Sequence, residues 1–398
     1  MTIDLDQARA IFEASTDFTV GIEEEFALLD PGSLGLVSAF ERMAEEAKSD
    51  DLLAESVAGE LISSEIEIRS GKGGDFNDAI ARQIARRERL FALAAREGVA
   101  LGATGTHPWS DWRDQHIIDT PHYARVEQEL RYVAWRNNTF SLHVHVGVNG
   151  ADRAMAVCDA LRPVLPTLLA ASANSAFVED VFSGLHSART EIFTRMFPRC
   201  GVPDHFGDWR TFADYVELLE RVGSIVEHTQ LWWSVRPHLG FGTVEVRIMD
   251  AQSRASESTA LAALATGCVA QAALDFDAGA RPTELPARLI EENLWRAIRY
   301  GLDGKLVDFE REAEVPAPAA VEPLIEWAGP ACTLLGIEHH LYALTAALAN
   351  GNGAQRQWRR HQAGESAREI FGADVAETCS TFGEAGAGVC GHLEGVKG

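Results

Sequence analysis

Glutamates, histidines and arginines recur at two-residue spacing in four short stretches of this 398-residue chain. VGIEEEFALL (20–29) carries Glu23 and Glu25, and SSEIEIRS (63–70) carries Glu65, Glu67 and Arg69. SLHVHVGV (141–148) carries His143 and His145, and GTVEVRIMD (242–250) carries Glu245 and Arg247. Carboxylates gathered on one surface repel one another and raise one another's pKa. Divalent cations remove that cost, and hard cations favour oxygen ligands with an occasional imidazole. Arginines beside such cations suit phosphate oxygens. Together these residue types offer the chemistry of a magnesium–nucleotide site. The His143-x-His145 pair taken alone fits two other readings: a zinc or iron centre, or two histidines hydrogen-bonded within a sheet. Its glutamate-rich company favours magnesium or manganese over zinc.

Such a site needs strands to carry it. Side chains alternate across a strand, so residues two apart share a face. Val20, Ile22, Phe26 and Leu28 then lie opposite Glu23 and Glu25; Ile66 and Ile68 lie opposite Glu65, Glu67 and Arg69. Leu142, Val144, Val146 and Val148 oppose His143, His145 and Gly147; Val244, Val246 and Ile248 oppose Glu245, Arg247 and Met249. Glu24 falls among the apolar residues, which predicts either an ion partner or a bulge. Strand by strand, the pattern also fits a half-exposed sheet with a charged outer face. That bland reading weakens when the four are taken together, because none of the segments contains a lysine.

Helical periodicity predicts helices over 75–98, 151–175 (bent or split near Pro163 and Pro166) and 256–276. The last is apolar round most of its circumference, as expected of a core helix. Strands and helices mix without a regular βαβ rhythm, so an α+β fold with a mainly antiparallel sheet backed by long helices is expected. REAEVPAPAAVEP (311–323) reads as the nearest thing to a linker.

The formal net charge of −24, from 59 acidic and 35 basic residues, disfavours nucleic acid and anionic membranes as partners. The six cysteines (Cys158, Cys200, Cys268, Cys332, Cys379 and Cys390) form no CxxC pair, which fits a reducing cytoplasm. The acidic start, MTIDLDQARAIF, lacks the features of a signal peptide, and no uninterrupted apolar run approaches membrane-spanning length. The expectation is a cytoplasmic protein acting on small molecules, with homo-oligomerisation left open. No P-loop, no G-x-G-x-x-G after a strand and no G-x-S-x-G is present. A bound nucleotide would therefore be held mainly through cations and arginines on the sheet.

The ordered set G-I-E-x-E (21–25), E-L-x-x-x-x-I-E (60–67), L-H-V-H-V-G (142–147) and T-V-E-V-R-x-x-D (243–250) resembles the type 2 glutamate–cysteine ligase family, in its bacterial carboxylate–amine ligase branch. Three further stretches, 187–209, 292–309 and 350–357, are similar as well. The resemblance implies a single glutamine synthetase-like domain over 1–398, with a curved, mainly antiparallel sheet forming a funnel and a helical C-terminal part from about 284. It also implies ATP-dependent amide formation through an acyl phosphate, with γ-glutamylcysteine synthesis as the leading specific activity. Two or more Mg²⁺ ions, with Mn²⁺ as an alternative, would be held by Glu23, Glu25, Glu60, Glu67, His143 and Glu245. Arg247 and Glu67 would be catalytic. Arg247, Arg236 and His145 would contact the nucleotide, and Arg189 the substrate. Glu65 adds a carboxylate beyond the family's ligand set. The rival readings are a metal-dependent hydrolase built on the HxH pair and a homologue that binds ATP or amino acids without turnover. GATGTHPWSDWRDQH (102–116) reads either as a mobile cover over the acyl phosphate or as an ordinary surface loop.

Overall fold

In the computed structural model, which describes residues 3–383, seven strands form the main sheet. They are β1 (Val20–Leu29), β2 (Val57–Ala58), β3 (Glu65–Arg69), β4 (Ala100–Gly102), β5 (Ser141–Gly147), β6 (Val235–His238) and β7 (Thr243–Asp250). Their order is β6-β7-β5-β1-β3-β2, and β4 pairs with the end of β1. Every pairing in this sheet is antiparallel. The four stretches bearing Glu, His and Arg are therefore consecutive neighbours, in the order β7-β5-β1-β3. Register aligns their polar positions: Glu23 lies opposite Arg69 and His143, Glu25 opposite Glu67, and His145 opposite Glu245.

The other face of the sheet is dry. Ile22, Phe26, Ile66, Ile68, Val144, Val146, Val244 and Val246 are each at most 1% exposed. Burying each such side chain contributes about 1.5–3 kcal/mol, which offsets the crowding of charge on the opposite face. Helices α1 (Phe76–Arg96), α2 (Ala151–Leu161), α3 (Leu165–Ser172) and α4 (Ala255–Asp277) supply much of the backing. The Asp75 side chain caps α1 by accepting from the Asp78 N–H at 2.8 Å. A 3₁₀ turn at Arg162–Val164 divides α2 from α3 where Pro163 removes a backbone donor.

Glu24 finds its ion partner on this back face. The Nη2 of Arg87, from α1, donates to Glu24 Oε1 at 2.8 Å, and its Nε donates to Oε2. Gln83 Nε2 also donates to Oε2 at 2.8 Å, and Ser258 of α4 donates to Oε1. The middle glutamate of the triplet is thus a buried tie between the sheet and two helices.

Two expectations need correction. The register of β7 shifts between Val246 and Met249, so Met249 lies opposite Leu142 in the core and not on the polar face. Residues 311–323 do not form a linker. They contain the second strand of a hairpin (Lys305–Asp308 with Ala313–Pro316) and the start of helix Ala317–Leu334. A proline in the first helical turn loses no hydrogen bond, and the alanines around it favour helix. Ala151–Ser172 and Ala255–Asp277 are each long and apolar enough to cross a membrane by length and composition, with mean hydropathy 1.4, though both contain charged residues. Both are mostly buried in the fold, as core helices are. Beyond residue 284 the described chain is mainly helical, and Cys390 lies outside the described residues.

Candidate active site

The polar face of the sheet forms the floor of a cavity of about 530 Å³. Within it, ligand atoms of Glu23, His143 and Glu245 lie within 4.8 Å of one another, as do those of Glu25, Glu67 and His143. His143 is shared by both groups because β5 lies between β1 and β7 and its ring stands over Glu23 and Glu25. Its Nδ1 is 3.4 Å from Glu23 and 3.9 Å from Glu25, and its Nε2 is 2.7 Å from the Ser141 hydroxyl. Glu60 and Glu65 line the same cavity from the β3 side.

The basic residues divide the carboxylates between them. Arg69 pairs with Glu67 and lies 3.6 Å from Glu23. Arg236 holds Glu245 through two bonds, of 2.7 and 3.3 Å, and donates to the carbonyls of Thr229 and Leu231 at 3.0 and 2.7 Å. Arg247 also pairs with Glu245, while its Nε is buried without a partner. His145 Nε2 stands 3.5 Å from Glu23 and 3.7 Å from Glu245, with Nδ1 at 3.0 Å from the Thr243 hydroxyl. Arg189 lines the cavity, 3.6 Å from Asp250.

These contacts leave a graded set of carboxyl groups. Burial would raise Glu23 and Glu245. His145 and His143 outweigh it at Glu23, and Arg236 and Arg247 at Glu245, so both are held well below their ordinary values. Burial and then Glu25 push Glu60 up to about 7. Burial raises Glu65 and Glu67 well above the usual carboxylate range, with Glu25 the next cause for Glu65 and Glu23 for Glu67. Burial lowers His143, with Arg247 adding to it, and so favours the neutral imidazole that can act as a ligand. At His145 the opposing pull of Glu245 and Glu23 wins over burial and raises it.

Glu65 sharpens the point. It is 1% exposed, and both of its carboxylate oxygens are buried with no hydrogen-bond partner. A buried, unsatisfied carboxylate beside other carboxylates is costly unless it binds a proton or a cation. The donor set fits a hard divalent cation: oxygen-rich, with the one imidazole of His143 common to both groups.

All the residues expected at a site converge here. Glu23, Glu25, Glu60, His143, His145, Arg189, Arg236, Glu245 and Arg247 line the cavity, and Glu67 joins one of the two ligand groups. Arg236 is placed differently from expectation, since its donors are taken up by Glu245 and backbone carbonyls. The segment 102–116 contributes nothing to the cavity lining. Residues 103–108 are buried. A Cβ at Gly105 would come within 2.8 Å of the Asp250 carboxylate, and the Thr106 hydroxyl donates to Phe177 O at 2.6 Å. Residues 103–108 are therefore packed structure and not a mobile cover, whereas 109–116 are half-buried to exposed.

The rim comes from elements outside the four ligand-bearing strands: His122 and Tyr123 on helix Pro121–Leu130, Phe193 and Phe197 in the 187–209 stretch, and the stretch from Glu227 to Trp232. His122 Nδ1 meets Glu227 at 3.0 Å, and Gln230 Nε2 donates to Glu129 at 2.6 Å, so two rim segments are tied across the mouth. Phe193 and Phe197 fall within the 187–209 stretch of the family resemblance, and the cluster of His and Trp in EHTQLWW (227–233) is a further signal that could have been read.

The model of glutamate–cysteine ligase family 2 matches residues 19–373. A protein of Rubrobacter xylanophilus, provisionally named glutamate–cysteine ligase 2-2, is 39% identical over 310 residues, covering 78% of this chain and 79% of its own. One of Sorangium cellulosum, provisionally named glutamate–cysteine ligase 2, is 39% identical over 340 residues, covering 85% and 90%. Among solved structures, the glutamate–cysteine ligase of Francisella tularensis in complex with AMP superposes with a TM-score of 0.64 at 12% identity, covering 96% of this chain and 93% of its own. A bifunctional glutathione synthetase of Pasteurella multocida gives 0.67 at 11% identity, covering 95% and 54%. Fold and sequence thus define an ATP-dependent carboxylate–amine ligase with an α+β, glutamine synthetase-like architecture. The chain belongs to glutamate–cysteine ligase family 2.

Proposed function

We propose that the cavity joins an acid to an amine through an acyl phosphate, with the glutamate side-chain carboxylate as acid and cysteine as the leading amine. The observation that carries this reading is the convergence of two carboxylate–imidazole groups beside Arg247 in one cavity. Glu23, Glu25, Glu60, Glu67, His143 and Glu245 would hold two or more Mg²⁺ between them, the single imidazole of His143 serving one ion and carboxylates the rest; Mn²⁺ suits the same donors. Divalent cations at these positions would neutralise triphosphate charge that otherwise repels the attacking carboxylate.

The chain's own groups do the rest. The Arg247 Nε, buried without a partner, is free to donate to a phosphate oxygen as charge shifts to it. Arg236 orients Glu245, and Arg69 orients Glu67. An acid oxygen attacks the γ-phosphorus and ADP leaves. The amine nitrogen then attacks the acyl carbon, the C–N bond forms, the bond to phosphate oxygen breaks, and the nitrogen releases a proton. The hydrolase alternative is disfavoured, because the two ligand groups share the single imidazole of His143 and His145 is engaged by Glu23, Glu245 and Thr243.

Hydroxylamine trapping tests the reading. With ATP, Mg²⁺ and glutamate, the protein should form a hydroxamate and release ADP. Glu67→Gln should lower that yield about 100-fold or more while leaving the far-UV spectrum unchanged. No hydroxamate from any carboxylic acid tried with the wild-type protein would refute it.

A further inference from the structure

One wall of the cavity has no part in the chemistry above. It consists of Phe193 on helix Ala188–Met196, Phe197 just past that helix, and Trp232. Ring centroids are 4.8 Å apart for Phe193–Phe197 and 5.4 Å for Phe197–Trp232. The wall is braced, because Cys200–Gly201 pairs in parallel with Trp232–Trp233. Phosphates and a charged carboxylate gain nothing from ring surface, and water against it is unfavourable.

Arg189 stands next to this wall, its guanidinium carbon 6.0 Å from the centre of the Phe193 ring. Its Nη atoms donate to the carbonyls of Ile248 and Arg247 at 3.2 and 3.1 Å. Its Nε is buried with no partner, on a residue only 4% exposed. A cationic N–H donor held in place and left unused points to an anionic ligand group.

We infer that the amine substrate is an α-amino acid with a bulky apolar side chain, aromatic for best fit. The side chain lies on Phe193, Phe197 and Trp232, and the carboxylate meets Arg189 Nε. The acid substrate is not the occupant, because its reacting carboxylate must sit over the ligand groups and Arg247 on the sheet. The aromatic wall belongs instead to segments that cross outside the four ligand-bearing strands. An amine seated there faces the activated acid across the cavity. This inference rests on the ligase reading but departs from it at the amine, placing a bulky apolar amino acid ahead of cysteine, whose side chain would leave most of the ring surface wet.

The test compares L-phenylalanine, L-leucine, L-cysteine and L-alanine as amines, each with ATP, Mg²⁺ and glutamate, alongside hydroxylamine trapping. Wild-type kcat/KM should favour phenylalanine over alanine by roughly tenfold or more, the range for apolar groups in a fitted pocket. Phe193→Ala and Trp232→Ala should each bring that ratio towards one. Phenylalanine should bind the nucleotide-loaded protein in calorimetry, and alanine should not. Hydroxamate formation combined with equal or better use of alanine or cysteine overturns this inference and leaves the ligase reading intact. So does a phenylalanine-to-alanine ratio unchanged in both variants. Absence of hydroxamate from the wild-type protein overturns both.

Discussion

Replacing Arg87 with Met tests why the chain can hold three glutamates in a row. Methionine keeps most of the apolar stem that packs near Phe382, where the guanidinium now lies 5.0 Å from the ring centre. What it removes is the only cation paired with Glu24 among the described residues. Glu24 is 4% exposed and Arg87 2% exposed, so water cannot replace the lost partner. Gln83 and Ser258 still donate to the carboxylate, but both are neutral. Breaking one side of a buried pair costs about 3–5 kcal/mol, a large share of a typical folding stability of about 5–15 kcal/mol. Urea unfolding followed by tryptophan fluorescence should therefore show a clear drop in midpoint for Arg87→Met. The double variant Glu24→Leu with Arg87→Met buries no lone charge and should recover most of the loss. An Arg87→Met protein within about 1 kcal/mol of wild type, or a double variant no better than the single, would refute the account.

Other outcomes follow from the site itself. Glu60, Glu65 and Glu67 all have raised values in the fold, so their favourable contribution is complete below the ordinary glutamate pKa and is lost as pH rises through the folded values, near 7 for Glu60. Added Mg²⁺ or Mn²⁺ should therefore raise Tm more at pH 8 than at pH 5.5, and Glu60→Gln should raise the metal-free Tm at pH 8. Glu23 and Glu245 act in the opposite sense, their contribution being lost as pH falls through their depressed values, so metal-free stability should also decline at strongly acidic pH. Arg236→Met should weaken Mn²⁺ binding, read by electron paramagnetic resonance, about 10–100-fold through misorientation of Glu245. A change in KM for ATP with Mn²⁺ binding intact would instead place Arg236 on the phosphates. Gly147→Ala should destabilise the fold by about 1–3 kcal/mol in the same urea assay, because the new Cβ would lie 2.3 Å from Thr16 O and Thr19 Oγ1.

Alternation alone put Glu23, Glu25, Glu65, Glu67, His143, His145 and Glu245 on polar faces, and the period-2 rule makes that reading local and robust. The long helices at 76–96 and 255–277 were equally legible, the first from its apolar periodicity and Asp75 cap, the second from an apolar run too long for a strand. Family resemblance added Glu60, Arg236 and Arg189, which no local pattern singles out. Tertiary structure decided whatever depends on what stands across from a residue. It gave Glu24 a partner 63 residues away, and it moved Met249 into the core through a bulge. It showed that 103–108 is packed between other elements and built the cavity rim from His122, Phe193, Phe197 and Trp232. A residue's type and spacing determine which face of its own strand it occupies. Which distant group faces it, and whether water reaches the gap, is set only when the strands and helices have packed.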